Sequence, residues 1–298
     1  MSEINVDNLN PGSGDFITVG SNASATQGAR FGIYKNPLNT DLDFTTTFFG
    51  HDAALSAGEN NFSNGVAIGA QAAKNGTGTA SVFIGSAAGI NAQANESVGI
   101  GRSAGGSTGS KATFVGDLAG TSTTAEWNTC VGYRAGSRLT TGEKNTLIGT
   151  YAGSTGDTDT GSLITGSSNI VLQSGGLSEW DLGSDVSNTV VLGSTTQTAI
   201  YAGVNTITAL SDKRDKKDVK EISAGLDFIK DLKPVDFIWD ERKESGKRDI
   251  KDCGFLAQDL KETEEKHGVA DYLQLVDDKN PEKLLATYGR LLPVMVKA

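Results

Sequence analysis

The chain has 298 residues, a formal net charge of −10 and an apolar fraction of 37%, with 38 glycines but only 5 prolines. The negative charge argues against nucleic-acid binding by phosphate neutralisation. The sequence contains no run of 18 apolar residues that would predict membrane insertion, and its first ten residues lack a secretory pattern. Two cysteines, Cys130 and Cys253, and two histidines, His51 and His267, exclude a disulfide framework and a Cys/His zinc site. We therefore expect no metal and no cofactor.

Charge and glycine are distributed unevenly along the chain. Residues 1–210 hold 33 glycines and 24 charged residues, whereas residues 211–298 hold 5 glycines and 38 charged residues. A step of this kind marks a domain boundary, which we place within 204–214. The predicted domains are an N-terminal attachment or β segment at 1–45, a repetitive β region at 46–205 and a compact α+β domain at 206–298.

A short unit recurs through the N-terminal region. It consists of a strand such as Val82-Phe83-Ile84, a glycine, two variable residues and, in most copies, an Ala-Gly pair. The glycines that follow the strands lie at positions 50, 69, 85, 101, 116, 132 and 149, and a degenerate continuation lies at Ser168–Leu172 and Asn188–Gly193. Seven copies at a spacing near 16 residues predict a stack of equivalent coils.

The composition of each copy predicts how the coils stack. β-branched and aromatic residues favour a strand, and the glycines allow tight corners. Stacked strands share ladder hydrogen bonds at roughly 4.8 Å per rung, so we predict a mainly β fold, a β-solenoid or β-roll. Phe83 would fill the coil while Val82 and Ile84 lie on the outer face. Three coils around an axis would bury that face, which favours a homotrimer; a monomeric solenoid is the alternative.

Two glycine-rich stretches approximate nucleotide-binding motifs. Gly99–Gly105 is close to a dinucleotide fingerprint, but it lies in phase with the repeat and no βαβ unit surrounds it. Gly105–Lys111 is similar to a phosphate loop, but its lysine does not directly follow the last glycine. We interpret both as turns of the repeat. Cys130 occupies the middle position of a strand, so we predict a buried structural thiol.

The C-terminal region predicts short helices and strands. The predicted elements are a helix capped by Ser223 with Leu226, Ile229 and Leu232 on its apolar face, a strand at 235–239, a solvated loop at 240–251, a strand leading into a helix at 253–258, and a strand at 272–276. Asn280-Pro281 predicts the start of a last helix. Its apolar residues, Leu284, Tyr288, Leu291 and Met295, are spaced like a coiled-coil seam, although a single-chain core would give the same stripe.

Four motifs of this region occur in the order of a known family. They are Ser211–Val219 (SDKRDKKDV), Leu232–Val235 with Phe237 and Trp239, Gly254–Asp259 (GFLAQD), and Tyr288-x-x-Leu291-x-Pro293. Together they resemble the endosialidase-type intramolecular chaperone, an auto-processing domain. The preceding repeats resemble trimeric adhesin heads and bacteriophage tail fibres or tailspikes.

The resemblance implies a Ser-Lys dyad with Ser211 as nucleophile and Lys216 as base, and one cleavage between Ser211 and Asp212 after a trimer has formed. A spacing of five places two residues on opposite faces of a strand, so the chain must turn between them or the lysine must come from a neighbouring protomer. An ordinary lysine, with a pKa of about 10.4, is neutral in about one molecule in 2,500 at pH 7, so burial on assembly would favour the reaction. The alternatives are a charged linker and a cleavage-deficient domain.

The resemblance further implies a trimeric tail fibre, made in the host cytoplasm and located in the virion. Its expected partners are copies of itself, other tail or baseplate proteins, and a host polysaccharide or outer-membrane receptor. Trp127 and Trp180 are candidate receptor contacts, although either could belong to the core.

Two other functions can be weighed against the fibre. A depolymerase would use paired carboxylates, Asp157 with Asp159 or Asp181 with Asp185, as acid and base, but these also fit turn residues. A transcription factor released from a membrane would need a membrane span and a basic domain, and the sequence has neither.

Overall fold

A computed structural model of the chain describes residues 16–19, 29–35, 45–54, 62, 64–107, 109–154, 162–175, 184–194, 200–203, 207–240 and 247–298. Contacts divide the chain into two compact units, Met1–Ser194 and Thr195–Ala298. The prediction of three domains, with an attachment role for the first, stays a prediction. Asp157, Asp159, Asp181 and Trp180 lie outside the described residues.

The first unit begins with three antiparallel strands. They are β1 (Phe16–Val19), β2 (Ala29–Lys35) and β3 (Thr45–His51). In the register of β2 with β3, Phe31 lies opposite Phe49. The other edge of β3 pairs in parallel with the next strand, so β3 starts the parallel ladder that forms the rest of the unit.

Eight further strands continue the ladder within the described residues, each three residues long. They are β4 (Val66–Ile68), β5 (Val82–Ile84), β6 (Val98–Ile100), β7 (Thr113–Val115), β8 (Thr129–Val131), β9 (Thr146–Ile148), β10 (Ile170–Leu172) and β11 (Val190–Leu192). Each pairs in parallel with the next and in register, first residue to first residue. The predicted mainly β solenoid is therefore confirmed.

The alternation of the strands separates a filled interior from an apolar outer face. Middle residues such as Phe83, Phe114 and Cys130 are buried, which confirms the prediction for Cys130, and burial raises the pKa of its thiol to about 12. Val82 and Ile84 are only partly buried on the outer side, as predicted.

Gly99 shows why one coil imitates a nucleotide-binding motif. It is the middle residue of β6, and a Cβ at this position would lie 2.7 Å from a ring carbon of Phe83. The glycine therefore makes room for the aromatic ring of the neighbouring coil. The interpretation of Gly99–Gly105 as part of the repeat is confirmed, because β6 occupies the same register as its neighbours.

The glycine after each strand permits the close stacking of the coils. Gly101 has φ +129°, and a Cβ added to it would overlap the carbonyl oxygen of Gly116 in the next coil. The same overlap repeats from Gly85 onto Gly101 and from Gly116 onto Gly132. Only a residue without a side chain fits this column, since both the backbone conformation and the space exclude one.

A polar ladder runs through the coil beside the strands and was not predicted. The side-chain oxygen of Asn128 accepts hydrogen bonds from the backbone N and Nδ2 of Asn145, at 3.0 and 3.1 Å, and Asn145 accepts the same pair from Asn169, both at 3.0 Å. The Nδ2 of Asn145 also donates to the Gly166 carbonyl. All three side chains are buried, so the ladder satisfies polar groups that water cannot reach.

The second unit combines short helices with two small sheets. Its elements are α1 (Leu226–Asp231), β12 (Pro234–Asp240), β13 (Arg248–Phe255), α2 (Ala257–His267), α3 (Ala270–Leu273), β14 (Val276–Asp277), β15 (Leu285–Ala286) and α4 (Leu291–Lys297). Strands β12 and β13 are antiparallel, as are β14 and β15. The core contains Phe228, Leu260, Leu275 and Val294.

Strand β12 confirms the strand predicted at 235–239, and β13 with α2 confirms the strand predicted to lead into a helix at 253–258. The loop predicted at 240–251 is wrong at its end, because β13 begins at Arg248. Charged residues are tolerated there since both faces of that part of β13 are exposed. Pairing with β12, which the composition does not reveal, fixes these residues as a strand.

The predicted cap and apolar face of the first helix need correction. Gly225, and not Ser223, lies at the N-terminus of α1, and the hydroxyl of Ser223 instead contacts the Tyr272 hydroxyl at 3.0 Å. Phe228 is the buried residue of α1, whereas Leu226 is exposed. Ile229 does pack against the core, as expected, and so does Leu232 just after the helix.

Two predictions at the end of the chain are also wrong. Tyr272 lies in α3 and not in a strand. The Asn280 side chain accepts a hydrogen bond from the Glu282 backbone at 2.9 Å, so this segment forms a local turn before β15. The last helix is therefore shorter and starts at Leu291, which separates Leu284 and Tyr288 from Leu291 and Met295 and breaks the predicted continuous seam.

Candidate active site

A tight turn connects the two residues of the predicted dyad. Lys213–Asp215 form one turn of 3₁₀ helix, with Asp212 at its N-terminus and Lys216 in extended conformation after it. The Lys216 backbone N donates to the Lys213 carbonyl at 3.2 Å. The chain thus reverses within five residues, which meets the first of the two geometric conditions stated from the sequence.

The turn brings Ser211 and Lys216 into contact. The Lys216 Nζ donates to the Ser211 Oγ at 2.6 Å and to the Ser211 carbonyl oxygen at 3.3 Å. In its neutral form the amine could accept the hydroxyl proton across the shorter contact. The structure therefore places the Lys216 amine and the Ser211 hydroxyl at a distance that permits proton transfer, while their catalytic roles stay a prediction.

Asp212, the residue after the predicted cleavage point, is held by Arg214. The Oδ1 of Asp212 accepts from the Arg214 backbone N at 2.9 Å and from Nε at 3.1 Å, and its Oδ2 accepts from Nη2 at 2.6 Å. The side-chain hydrogen bond from Arg214 lowers the pKa of Asp212, and the backbone hydrogen bond adds to it. Within the described residues, Lys216 forms no ion pair with a carboxylate.

This pairing was not predicted, although the sequence carried a signal for it. An aspartate at the start of a tight turn accepts the backbone N–H two residues later, and here that residue is an arginine whose side chain folds back. Arg214 thus pairs with the Asp212 carboxylate, while the Lys216 amine contacts Ser211.

The site is open within a single protomer. Ser211 and Lys216 are exposed, and so are the preceding apolar residues Ile207, 99% exposed, and Leu210, 88% exposed. In the described parts of the chain, no residue outside 211–216 forms a hydrogen bond or ion pair with either side chain. Within the described residues, no other element supplies a hydrogen bond to this site, and the exposure of Ser211 and Lys216 leaves both side chains open to water.

Two further motifs of the resemblance meet in the second unit. The Tyr288 hydroxyl donates to the Phe255 carbonyl at 3.2 Å and accepts from the Phe255 backbone N at 3.3 Å. Their rings lie 5.5 Å apart, edge to face. A Cβ on Gly254 would come within 3.0 Å of the Tyr288 hydroxyl, so Gly254 leaves space for this contact between β13 and the last turns of the chain.

Comparison with known proteins gives one match. Residues 211–269 match the family model described as chaperone of endosialidase. No curated protein and no solved structure shows a significant match to the chain. The match begins at Ser211 and includes the dyad, and it supports a chaperone and trimerisation role for the C-terminal region.

The remaining candidate sites are limited. Trp127 is 44% exposed, and the ammonium groups of Lys111 and Lys144 lie 5.6 and 5.2 Å from its ring centroid. The sequence left open whether Trp127 lies in the core or on the surface, and the structure places it on the surface. Among the described residues, no cluster of histidine, cysteine, aspartate and glutamate could hold a metal ion, and no helix is long and apolar enough to cross a membrane.

Proposed function

We propose that the protein is a homotrimeric bacteriophage tail fibre whose C-terminal domain promotes trimerisation and then cleaves the chain once, between Ser211 and Asp212. The observation that carries the proposal is the 2.6 Å contact between Ser211 and Lys216 at the start of the segment that matches the chaperone family. The β-solenoid in front of it fits the elongated body of a fibre.

The outer face of the solenoid supports self-association. An apolar column runs along the ladder, formed by the third residues of β4 to β11 and by Phe49 of β3, which pairs with Ile68: Phe49, Ile68, Ile84, Ile100, Val115, Val131, Ile148, Leu172 and Leu192. At the ladder spacing this column is about 38 Å long. Its members are exposed or half-buried in one protomer, and a continuous apolar surface of this kind favours a partner. Around a threefold axis each column would be covered by a neighbouring copy.

The remaining parts of the proposal concern location and partners. The fibre would reside in the virion, attached to other tail proteins, and bind a polysaccharide or outer-membrane receptor of the host. Trp127 with its two lysines is the surface feature of the described solenoid best suited to such a contact, because an exposed aromatic ring supplies large contact area at small conformational cost.

Mass spectrometry of freshly expressed protein tests the cleavage. Hydrolysis of the Ser211–Asp212 bond consumes one water and gives fragments of 211 and 87 residues from the 298-residue chain. Ser211→Ala and Lys216→Ala should each leave the full-length chain. Lys217→Ala is the matched control, because this neighbouring exposed lysine forms no hydrogen bond with Ser211 among the described residues, and it should cleave like the wild type. An uncleaved wild type, or cleaved dyad variants, would contradict the proposal.

Light scattering after size exclusion tests the assembly. We expect a trimer for the wild type and loss of the trimer for Ile100→Asp, which places a charge in the apolar column. Ser122→Asp, at an exposed position outside the strands, is the control and should stay trimeric. Production of residues 1–210 alone should give little trimer if the C-terminal domain promotes assembly; an undiminished yield would contradict that role.

A further inference from the structure

The position of Ser211 raises a geometric problem for the reaction. Its Oγ and its own carbonyl carbon are joined through only Cβ and Cα. Attack of this oxygen on the Ser211–Asp212 carbonyl within one chain would therefore close a four-membered ring. Bond angles of about 90° lie far outside the range in which angle strain stays small, since about 15° of deviation already costs about 4 kcal/mol.

The same oxygen has an unstrained target on the other side. Attack on the Leu210 carbonyl would close a five-membered ring, but that reaction would break the Leu210–Ser211 bond. Within a single chain, Ser211 as nucleophile and cleavage after Ser211 are thus incompatible. A second copy of the chain removes the conflict, because its Ser211–Asp212 carbonyl can approach the oxygen without forming any ring.

We propose that in the trimer the Ser211 oxygen of each protomer attacks the Ser211–Asp212 bond of a neighbouring protomer. This rests on the proposed self-cleavage. The dyad itself stays within one chain, because Lys216 already lies 2.6 Å from its own Ser211. The scissile bond is what the partner contributes, so the active site is incomplete in one protomer.

Two observations support an attack between chains. The dyad is exposed and no other described element covers it, so a second chain has access. The two apolar residues before it, Ile207 and Leu210, are almost fully exposed, as expected for a segment that packs against another copy.

The step balances without any added reactant except water. Neutral Lys216 takes the proton of the Ser211 hydroxyl while the oxygen bonds to the neighbour's carbonyl carbon. The resulting tetrahedral intermediate breaks its bond to the Asp212 nitrogen, which takes the proton from Lys216 and leaves as the new amino terminus. Water then hydrolyses the ester between the two chains and restores the Ser211 hydroxyl.

Threefold symmetry makes the arrangement self-consistent. Attack by each protomer on the next is a head-to-tail relation, and such a relation closes into a ring under threefold rotation. Every chain is then both attacker and substrate, so all three bonds are cut. Isolated protomers do not react, which explains why cleavage would wait for assembly.

Mixed trimers test the inference. Wild-type chains and Ser211→Ala chains carry different affinity tags and are co-expressed, and trimers containing one wild-type and two variant chains are isolated by tag and charge. In such a trimer the wild-type dyad lies beside the bond after residue 211 of one variant chain. The Ser211–Asp212 bond of the wild-type chain lies beside the other variant chain, which has alanine in place of the attacking serine. We expect one variant chain to be cut after residue 211 and the wild-type chain to remain whole; variant homotrimers should stay whole.

The reverse result would overturn the inference: the wild-type chain cut and both variant chains whole. Cleavage after Leu210 in any chain would overturn it as well. Mixed trimers of wild type with Lys216→Ala keep the natural Ser211–Asp212 bond in the variant and should again show one cut variant chain and a whole wild-type chain. If only this second mixture gives transfer of cleavage, a lysine and not the oxygen acts across chains, and the inference is wrong. If wild-type homotrimers are not cut at all, the proposed function itself fails.

Discussion

The two units of the chain gain their stability in different ways. In the solenoid each coil contacts the coils before and after it, through in-register ladders, small side chains and glycine corners. In the second unit a few large side chains from separate elements, such as Phe228, Leu260 and Val294, meet in one cluster. The solenoid therefore depends on a repeated backbone geometry, whereas the second unit depends on particular side chains that are distant in sequence.

This difference predicts where each unit is sensitive to substitution. A repeat tolerates changes on its exposed corners but not in the columns where one coil touches the next, because the same contact must form in every rung. The described residues of the second unit form no such column, and the ion pairs on its surface contribute little to stability in water. The stability of the second unit should therefore respond mainly to substitutions at buried positions.

The largest effect is expected for Gly101→Ala. Its φ of +129° disfavours any side chain, and the new Cβ would overlap the carbonyl oxygen of Gly116. Backbone strain and overpacking together should lower the free energy of unfolding by about 4 kcal/mol. Urea unfolding followed by circular dichroism measures this, with cleavage blocked by Ser211→Ala in all variants.

Gly106→Ala is the matched control for Gly101→Ala. It lies in the same coil, lacks a left-handed φ, and its Cβ would meet the Thr121 carbonyl oxygen at 3.4 Å, an ordinary contact. We expect a change within about 1 kcal/mol, because a compatible alanine also restricts the unfolded chain. Equal losses for both variants would show that the glycine column is not what limits stacking.

A smaller loss is expected for Asn145→Ala. The substitution removes the side-chain hydrogen bonds to Asn128 and to the Gly166 carbonyl. It also removes the acceptor of the Asn169 backbone N and one of the two acceptors of its Nδ2, which keeps the Val186 carbonyl. Buried unsatisfied groups should lower the free energy of unfolding by about 3 kcal/mol. Asn95→Ala, which removes exposed hydrogen bonds to Thr79, should lower it by less than about 1 kcal/mol. The same urea series compares them.

The sequence allowed the solenoid to be predicted well because its signal is periodic. A glycine at nearly constant spacing marks the coil, and alternation within each strand separates Phe83 from Val82 and Ile84. The asparagine ladder was missed because the residue before the strand is not the same in every coil: it is asparagine in three successive coils but Ser81, Ser97 or Ala112 in the coils before them. Its signal was local: Asn128, Asn145 and Asn169 each stand directly before a strand.

The second unit was harder to predict because its elements are defined by tertiary contacts. Arg248 belongs to a strand only since β12 provides a partner. Serine is a common residue type at helix N-termini, but the Ser223 hydroxyl forms its hydrogen bond with the Tyr272 hydroxyl of α3. At the candidate site the residue types of Ser211 and Lys216 followed from the motif, and the pairing of Asp212 with Arg214 had a local signal that was missed. The sequence could not distinguish a turn within one chain from a lysine of a neighbouring protomer, because spacing alone does not fix the backbone between the two residues.

The smallest effect is expected for Glu264→Gln, and it depends on pH. Glu264 is buried, 3% exposed, and accepts a hydrogen bond from the Leu275 backbone at 2.7 Å. Desolvation raises its pKa from the ordinary value of 4.5, against the opposing effects of the Leu275 N–H and Arg290. The folded state then binds the proton more tightly than the unfolded state, so the free energy of unfolding falls as pH rises above 4.5.

Glutamine keeps the acceptor for the Leu275 N–H and carries no charge. Glu264→Gln should therefore remove the fall in the free energy of unfolding with rising pH. At neutral pH the variant should be as stable as the wild type or more stable by less than about 1 kcal/mol, with the advantage vanishing below pH 4.5. Thermal unfolding from pH 4 to 8 measures it. Glu262→Gln, which affects only an exposed contact with Lys233, should follow the wild type throughout. A variant that is less stable than the wild type at neutral pH would mean that the charge of Glu264 stabilises the second unit, and that this unit, unlike the solenoid, depends on a buried ion.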